Sequence, residues 1–503
     1  YTWKKSVHSI TATGVFSAQK YQYDRLYGAS KDLSFNSLWY NLNGGAIESL
    51  SSNFSQWTMM SYVGRINYGL MDRYLLTASL RYDGSSRLSE ENKWALFPSA
   101  AIAWRITEED FAKNLDWLSN LKLRFSYGQA GNTNSVSPYA SEGTISGSVY
   151  YPFGTSTSVG NLPANIANPM LTWERTSEYN VGLDFGFLNQ RISGNIEYYN
   201  RTTNDLLMKR NIPVHLGYSS VTSNVGSVRN SGFELQLNTA NIMTKNFAWN
   251  TTINLAYNKN EIVSLADEED LSNYSIHLQG MRGRYSDKRF IGKPVDTNWT
   301  QNTIGVWQLG EEEEEAAKYG CVPGNFKIKD YNNDGKLTDD DYIIDGKRTP
   351  DWTGGMTNMF KIYDFDFSFH MYFQAGATQY DRFFENFALE WNSQNFNNLR
   401  TNYWTPENPS NTMGRPSQMG SRGNIAYERT DFLKVSYITL GYTLNKRLMS
   451  KWGLDNARIY VTVQNPFILT KFRGLDPEQP DLTNIGDTDG MTMNALLGVN
   501  ISF

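Results

Sequence analysis

The chain has 503 residues, a formal net charge of −5, a mean hydropathy of −0.52 and no uninterrupted apolar run longer than Ala100–Trp104. A helix that crosses a bilayer needs about 20 mostly apolar residues, so transmembrane helices are excluded, and the acidic charge balance argues against a nucleic-acid partner. Aromatic residues make up 14% of the chain and charged residues only 19%, against about 25% charged in ordinary globular chains.

Apolar and polar residues alternate along nearly the whole chain, which is the pattern of β-strands. In the segment 73–83, for example, one face carries Tyr74, Leu76, Ala78, Leu80 and Tyr82, and the other carries Arg73, Leu75, Thr77, Ser79, Arg81 and Asp83. No comparable stretch shows sustained helical periodicity. The predicted fold class is therefore all-β.

Taken in chain order, the alternation predicts about 14 long strands, at 5–21, 54–70, 73–86, 93–107, 120–130, 172–187, 191–207, 228–242, 246–262, 353–363, 364–376, 430–444, 457–468 and 494–503. Their connections alternate in length. Short ones fall at 71–72, 188–190, 243–245 and 363–364, with intermediate ones near 108–119 and 445–456. Long ones fall near 22–53, 131–171, 208–227, 263–352, 377–429 and 469–493, and the shorter 87–92 lies on the same side.

Alternation alone fits both a soluble β-sandwich and a membrane barrel. Many predicted strands have ten residues or more, whereas soluble strands average about 5–6 residues and membrane-spanning strands need about 9–11. Charged residues in mid-strand suit a water-filled lumen, and rings at the ends of the apolar faces suit aromatic girdles. With short turns on one side and long loops on the other, we predict a transmembrane antiparallel β-barrel in the bacterial outer membrane.

A series of motifs follows the strands in a fixed order between about residues 60 and 376. They are Tyr74–Arg87, Lys93–Arg105, Leu123–Asn132, Leu171–Thr176, Gly226–Leu235, and Gly305–Gln308 leading to Pro323-Gly324. The chain ends on an alternating strand with a terminal aromatic residue, Phe503, similar to the final-strand signal of outer-membrane proteins. Together these segments resemble the SusC/RagA-type TonB-dependent transporters of Bacteroidetes.

The resemblance implies a 22-stranded barrel with a plugged lumen, preceded by a TonB box and a carboxypeptidase-regulatory-like domain. Residues 1–503 match only the C-terminal portion of such a barrel. We therefore expect the N-terminal domain, the TonB box, the plug and the remaining strands to lie outside this chain. Unpaired strand edges in lipid would cost several kcal/mol for each unsatisfied backbone group.

The resemblance also implies a function, the import of a nutrient, either an oligosaccharide or a peptide. The implied partners are a SusD-like surface lipoprotein over the long loops, TonB with ExbB-ExbD as the energy source, and outer-membrane lipid around the barrel. Loop aromatics would be able to stack on a sugar, although packing within their own loops is the simpler interpretation; they are Trp39, Tyr40, Tyr150, Tyr151 and Trp391.

One motif carries chemistry. The segment 330–341 fits the calcium-loop template, in which positions 1, 3 and 5 supply side-chain oxygens, position 6 is glycine, position 7 supplies a carbonyl and position 12 is acidic. The predicted calcium ligands are Asp330, Asn332, Asp334, the carbonyl of Lys336, and Asp341. Aspartate at position 12 departs from the usual glutamate and reaches less easily in bidentate fashion. We predict a structural calcium loop; the alternative is a solvated acidic turn.

Enzyme chemistry is not indicated. The four histidines are widely spaced and lack an adjacent nucleophile or ligand motif; they are His8, His215, His277 and His370. The run Glu311–Glu315 predicts a short exposed helix, and Cys321 a packed loop residue. Two alternatives to active import stay open. One is a passive porin-like channel, and the other is a soluble calcium-dependent carbohydrate-binding protein.

Overall fold

A computed structural model describes the chain from Tyr1 to Phe503, with the exception of residues 36, 38, 266–268, 271–279, 285–287, 311, 390–400, 417–420, 446–448, 450 and 480–490. Within the described part, no helix is long and apolar enough to cross a membrane.

Fifteen strands form one large sheet in which each strand pairs with the next along the chain. The pairing is antiparallel, as in the registers Tyr74↔Trp104 and Phe365↔Tyr442. The strands are β1 (Thr2–Lys5), β2 (His8–Lys31), β3 (Ala46–Leu70), β4 (Tyr74–Ser85), β5 (Trp94–Arg105), β6 (Leu118–Asn132), β7 (Glu174–Phe187), β8 (Ile192–Asn204), β9 (Ser227–Met243), β10 (Phe247–Ser264), β11 (Trp352–Ile362), β12 (Phe365–Ala375), β13 (Phe432–Thr443), β14 (Asn456–Thr470) and β15 (Asn494–Ser502).

Fourteen of these strands correspond to the predicted ones, but the beginning of the chain differs in two ways. The predicted first strand 5–21 begins too early, because a turn at Ser6, whose φ is +52°, separates β1 from β2, which begins at His8. The predicted long loop 22–53 is also wrong, since β2 and β3 stay paired from His8↔Leu70 to Lys31↔Ala46. Backbone pairing continues there although the sequence alternation fades, because ladder hydrogen bonds do not require an apolar face.

Several of the short connections between strands contain residues in the left-handed conformation. Met71 and Asp72 have φ of +54° and +53°, and Leu188, Asn189 and Gln190 have φ between +53° and +64°. Consecutive residues with positive φ match the right-handed twist of the strands that they join. These connections define the short-turn end of the sheet, and the prediction that turns fall there is confirmed.

The two faces of the sheet differ in polarity, and the apolar face is exposed. Phe16, Leu80 and Ile102 expose 58%, 48% and 56% of their surface. On the other face, Arg81 pairs with the buried Asp83, and Ser79 and Ser99 hydrogen-bond at 2.6 Å. A contiguous exposed apolar surface of this kind is stable against hydrocarbon rather than water.

The large connections contain smaller elements. The short strand pairs are Ile145–Phe153 with Ser156–Pro163, Leu207–Asn211 with Ser220–Asn224, Thr297–Gln301 with Tyr342–Lys347, Thr303–Val306 with Phe326–Ile328, and Thr378–Tyr380 with Tyr427–Arg429; Glu269–Asp270, Arg282–Arg284 and Arg289–Phe290 form a further small sheet. The helix α1 spans Glu313–Lys318, a helical turn spans Arg382–Phe384, and a π-helical turn spans Glu385–Leu389. Single 3₁₀ turns lie at Leu42–Gly44, Glu90–Asn92, Ile106–Glu108, Val214–Leu216 and Asp339–Asp341.

The chain divides into two compact units, each with its own buried residues. Unit 1 comprises 1–104, 125–179 and 201–227, and unit 2 comprises 105–124, 180–200 and 228–503. The core of unit 1 consists of Leu88, Ala95, Phe97, Val136, Leu171, Trp173 and Leu207. The larger core of unit 2 consists of Val306, Phe326, Ile328, Phe384, Ala388, Trp404, Met413 and Ala426. Most of these residues lie in the long connections or at the adjoining strand ends, because the apolar side chains of the large strands are exposed.

Candidate functional site

The predicted calcium loop lies in the long connection between β10 and β11, in unit 2. It begins after the strand Phe326–Ile328 and ends at the 3₁₀ turn Asp339–Asp341. Asn333 and Gly335 adopt left-handed conformations, with φ of +57° and +77°. Gly335 thus supplies the sharp turn that position 6 of the template requires.

Asp330 is held by hydrogen bonds on both carboxylate oxygens. Oδ1 accepts from the Asn333 N–H at 2.6 Å, and Oδ2 accepts from the Gly335 N–H at 2.9 Å and from the Tyr319 hydroxyl at 3.0 Å. Burial, the largest single influence, favours the neutral acid, but these donors together hold the pKa of Asp330 below its ordinary value. Burial and the Asp330 charge in turn raise the pKa of Tyr319 to about 12.

Asp341 closes the loop back onto its beginning. Its Oδ1 accepts from the Tyr331 N–H at 2.8 Å and its Oδ2 from the Thr338 N–H at 2.9 Å, and the side chain is fully buried. Burial raises the pKa of Asp341, the two N–H donors counter that effect, and the charges of Asp330 and Asp334 add to it. Thr338 and Asp341 form a capping box, which the spacing Thr-x-x-Asp in the sequence would have indicated.

The remaining predicted ligands lie on the exposed side of the loop. Asn332 Oδ1 accepts from the Asp334 N–H at 3.1 Å, and Asp334 Oδ1 accepts from the Lys336 N–H at 2.8 Å. Across the described ranges, no three acidic, histidine or cysteine side chains converge as a preformed metal cluster. The donor set is nevertheless one of hard oxygens, and the mutual repulsion of its carboxylates would be relieved by a divalent cation.

The polar face of the sheet carries a network of charges in unit 2. Arg124 on β6 donates to Asp184 at 2.7 Å and to Glu197 at 2.7 Å. Lys122 pairs with Asp184 at 2.7 Å, and Asn180 donates to Glu197 at 3.1 Å. All of these side chains are partly exposed, so each pair contributes at most about 1 kcal/mol. The network shows that charged groups share one face of the sheet in mid-strand, as predicted.

A groove of about 460 Å³ lies on this polar face across β8 to β12. Its polar lining includes Glu197, Glu234, Gln236, Asn254 and His370. His370 contacts the Thr357 hydroxyl at 2.8 Å and stacks on Tyr437, with ring centroids 5.6 Å apart. Those contacts fit a structural role for this histidine on the polar face.

A row of aromatic side chains on the polar face of the β2–β3 hairpin, in unit 1, was not singled out by the sequence. Tyr21 stacks on Trp57 with ring centroids 5.6 Å apart, and the Arg87 guanidinium lies 4.6 Å from the Trp57 ring centroid. Tyr23 and Tyr27 follow at two-residue and six-residue steps and are exposed. These residues form the hairpin aromatic row, defined as Tyr21, Tyr23, Tyr27 and Trp57. A period-2 run of tyrosines beyond the apolar band is the signal that would have found it.

The predicted loop aromatics are scattered rather than gathered into one site. Trp39 and Tyr40 contact each other edge to face, with centroids 5.9 Å apart, and both are exposed. Tyr150 and Tyr151 lie on the hairpin Ile145–Phe153, where Tyr151 covers Gly160. Trp391 lies outside the described residues, as does His277.

The other predicted residues have packing roles or exposed positions. His8 contacts the Tyr68 hydroxyl at 2.8 Å, and His215 lies in the turn Val214–Leu216. Cys321 is half-buried, and burial raises the pKa of its thiol. The helix expected around 311–315 is α1; Glu311 lies outside the described residues, and Ala316 at the centre of α1 is fully buried.

The sequence of the chain is similar to those of known proteins. The TonB dependent receptor-like β-barrel family matches residues 3–353. The chain is 34% identical, over 89% of its length and 44% of the relative, to the TonB-dependent receptor SusC of Bacteroides thetaiotaomicron. It is 32% identical, over 99% of its length and 51% of the relative, to the TonB-dependent receptor P26 of Formosa agariphila. The chain therefore spans about half the length of the curated relatives that it matches.

Among solved structures, the RagAB peptide transporter has a similar fold. Its TM-score is 0.79 at 24% identity, over 100% of this chain and 54% of that one. The predictions of an all-β barrel fold, of an outer-membrane location and of a non-enzymatic chain are confirmed by these relationships. The alternative of a soluble carbohydrate-binding protein is wrong, because the family resides in the outer membrane. The chain belongs to the TonB-dependent receptor-like β-barrel family, and along most of its length its sequence is similar to that of SusC.

Proposed function

We propose that this chain forms part of the barrel wall and the extracellular loops of a TonB-dependent importer of oligosaccharides or peptides. The observation that carries the proposal is the division of the sheet into an exposed apolar face and a charged face. Ion pairs such as Arg124–Asp184 in mid-strand are stable beside a water-filled lumen through which a polar nutrient passes. The similarity to the TonB-dependent receptor SusC and to the RagAB peptide transporter supports the same class of activity.

Energy for this import comes from TonB with ExbB-ExbD acting on a plug inside the barrel. The plug, the TonB box and the remaining strands belong to a portion of the transporter outside residues 1–503. The chain spans about half the length of its relatives, which supports this division. A SusD-like lipoprotein covers the long connections from outside and delivers the substrate to them.

The hairpin aromatic row is our proposal for one of the surfaces that receive the substrate. Tyr21, Tyr23 and Tyr27 lie on the polar face of β2, and successive residues of one face are separated by about 6.8 Å. Aromatic faces stack on the apolar faces of sugar rings and on peptide side chains. A linear substrate that lies along the strand would contact several of these rings at once.

A bilayer conductance measurement separates active import from the porin-like alternative without knowledge of the substrate. The protein purified from the outer membrane is inserted into a planar bilayer in potassium chloride solution. A plugged importer is expected to show no steady conductance, whereas a passive channel conducts continuously. Steady conductance of the intact protein would decide for the porin.

The proposed lipoprotein partner can be tested on the same preparation. Copurification of a SusD-like lipoprotein would support this partner, and its absence would argue against it.

We further propose that the loop 330–341 binds calcium as a structural ion. Asp330, Asn332, Asp334, the Lys336 carbonyl and Asp341 would hold it, and the bound charge would offset the repulsion among the three carboxylates. Isothermal titration of the EDTA-treated protein with Ca²⁺ is the test. Asp334→Asn is expected to weaken binding, while Asp339→Asn, which alters an exposed carboxylate off the ligand positions, is expected to leave it unchanged. No heat of binding to the intact protein would make the acidic-turn interpretation correct.

A further inference from the structure

The end of β12, the beginning of β13 and the end of β14 lie together at a groove of about 1050 Å³, away from the short-turn end of the sheet. The floor of this groove is apolar. Phe373 pairs with Leu433, and Leu433 pairs with Leu469, so the three side chains stand side by side on one face. That face is the apolar one, because along β12 it also carries Phe365, Phe367, Phe369 and Met371, whereas Asp366, His370 and Gln374 lie on the other.

The depth of the groove in the membrane follows from the strand. Phe365 follows the short turn at Tyr363 and Asp364, and short turns of outer-membrane proteins face the periplasm. From Phe365 to Ala375 the chain advances about 34 Å along the strand, and at a tilt of about 40° this is about 25 Å along the membrane normal. An outer-membrane barrel has an apolar band about 25 Å tall. The groove therefore lies at the boundary between the outer leaflet and its headgroups.

Charged groups surround the outer rim of the groove. Arg429 directs Nε and one terminal nitrogen to Oδ2 of Asp431 at 3.0 and 2.7 Å, and Oδ1 of Asp431 accepts from the Gly376 N–H at 2.7 Å. Lys471 is exposed and, among the residues that the structure describes, makes no ion pair. The described residues that line the groove thus carry two positive charges, on Arg429 and Lys471, and one negative charge, on Asp431.

We propose that this groove binds a phosphate-bearing, multiply acylated lipid of the outer leaflet, the chemistry of lipid A. Acyl chains would lie against Phe373, Leu433 and Leu469, and the phosphate would lie at Lys471 and the remaining face of the Arg429 guanidinium. Arginine and lysine are the side chains that hold phosphate oxygens by charge-assisted hydrogen bonds. A nutrient in the lumen cannot reach this site, because the apolar face is turned away from the polar one.

The site therefore takes a ligand that the membrane supplies, and it does not depend on the transported substrate. Its occupant would anchor the barrel at a fixed depth in the outer leaflet, next to the connection that follows β14. The proposal requires only the outer-membrane location, so the failure of active import would leave it intact.

The test measures lipid binding by native mass spectrometry of the protein purified from outer membranes and stripped of lipid by detergent exchange. Monophosphoryl lipid A is the probe, and its dephosphorylated form is the comparison. Lys471→Gln is expected to weaken binding of the phosphorylated probe about tenfold, which corresponds to the loss of one charge-assisted contact. Arg429→Gln combined with Lys471→Gln is expected to weaken it further, to the level of the dephosphorylated probe.

Lys245→Gln is the matched control, because it removes an exposed lysine at the short-turn end. Unchanged binding in this control is expected. The proposal would be overturned if the unsubstituted protein bound both probes equally. It would also be overturned if Lys471→Gln bound the phosphorylated probe as tightly as the unsubstituted protein does. A change in oligomeric state on Lys471→Gln without a change in bound lipid would also overturn it, since the groove would then be a protein interface. Lys471→Gln disturbs no described ion pair, so the test does not depend on the double variant folding.

Discussion

The strands of the large sheet and the long connections between them are stabilised in opposite ways. In the strands, apolar residues such as Leu80 and Ile102 are exposed, and polar residues of the other face hydrogen-bond with one another. Among the connections, residues such as Trp173, Val306 and Trp404 are buried in compact clusters. The strands depend on the bilayer as their apolar environment, whereas the connections and the strand ends beside them carry their own cores, as soluble domains do. Substitutions in the two regions should therefore have different consequences.

The largest loss of stability is expected for a substitution at a buried residue where a long connection joins a strand. Trp173 is almost fully buried, packs against Phe97 with centroids 5.4 Å apart, and donates from Nε1 to the Lys93 carbonyl at 3.0 Å. Trp173→Ala is expected to lower the free energy of unfolding by about 3–5 kcal/mol. Trp94→Ala, on the exposed face of β5, is expected to cost about 1–2 kcal/mol, since that ring is 39% exposed and contacts mainly Tyr82, Tyr62 and Gly84. Urea unfolding of the protein in lipid vesicles measures both, and equal losses would contradict the distinction.

A charge on the lipid side of a strand is expected to have the next largest effect. Leu80→Arg places a cation in the middle of the apolar band and is expected to cost about 2–4 kcal/mol. Ser79→Arg changes the adjacent residue of β4, whose side chain lies on the polar face beside Ser99. Ser79→Arg should lower the free energy of unfolding by well under half as much as Leu80→Arg does. If vesicle unfolding showed the same cost for both variants, the assignment of the faces would be wrong.

A smaller effect is expected at a buried carboxylate in the connection after β12. Asp381 is fully buried and accepts from the Phe384 N–H at 2.9 Å. Burial, with a contribution from the Glu428 charge and against the opposing effect of Arg473, raises its pKa to about 6 from 3.8. Between those values the folded protein binds more protons than the unfolded one, so this group lowers stability as the pH rises from about 4 to about 6.

Asp381→Asn removes the buried charge and keeps an acceptor for the Phe384 N–H. At pH 7 the variant is expected to be more stable by up to about 2 kcal/mol, and at pH 4 its stability should equal that of the unsubstituted protein. Thermal unfolding at the two pH values measures the difference. A variant that is less stable at pH 7 would show that the charge at Asp381 contributes to the fold.

The smallest effect is expected in the short turns. Leu188 has φ of +53°, a conformation that costs about 1–2 kcal/mol for a residue with a Cβ. Leu188→Gly is expected to stabilise the turn by no more than about 1 kcal/mol, because glycine also gains entropy in the unfolded chain. Urea unfolding should show a small increase in the free energy of unfolding. A decrease would mean that the Leu188 side chain stabilises the turn by packing.

The sheet could be predicted because its signal is local. Tyr74, Leu76 and Leu80 alternate with Thr77, Ser79 and Arg81 within one strand, and the short turns follow directly from the spacing. The connections could not be predicted in the same way. The burial of Trp404 depends on Val306 and Phe326, about 80–100 residues earlier in the chain, and no local pattern indicates such contacts. The continuation of β2 and β3 also escaped prediction, because the apolar residues of one face become sparse there and the alternate tyrosines at 21, 23 and 27 are the main remaining period-2 signal.

The sequence located the acidic loop 330–341 correctly as a turn. Calcium binding by this loop stays a prediction. Asp341 illustrates the ambiguity, since position 12 of the calcium template and the last residue of a capping box coincide in this segment. Asp330 similarly accepts hydrogen bonds from three protein donors. A motif that specifies a metal loop and a motif that specifies a turn therefore share the same residues, and only a binding measurement separates them.

The central claim is that alternate residues of each strand divide water from lipid, and cysteine labelling tests it most directly. The chain has one cysteine, Cys321, so a Cys321→Ser background allows single cysteines to be placed at 76–82 along β4. Positions 77, 79 and 81 are expected to react with a membrane-impermeant maleimide, whereas positions 76, 78, 80 and 82 should react only with a lipid-soluble reagent. Reaction of all seven positions with the impermeant reagent would contradict the claim.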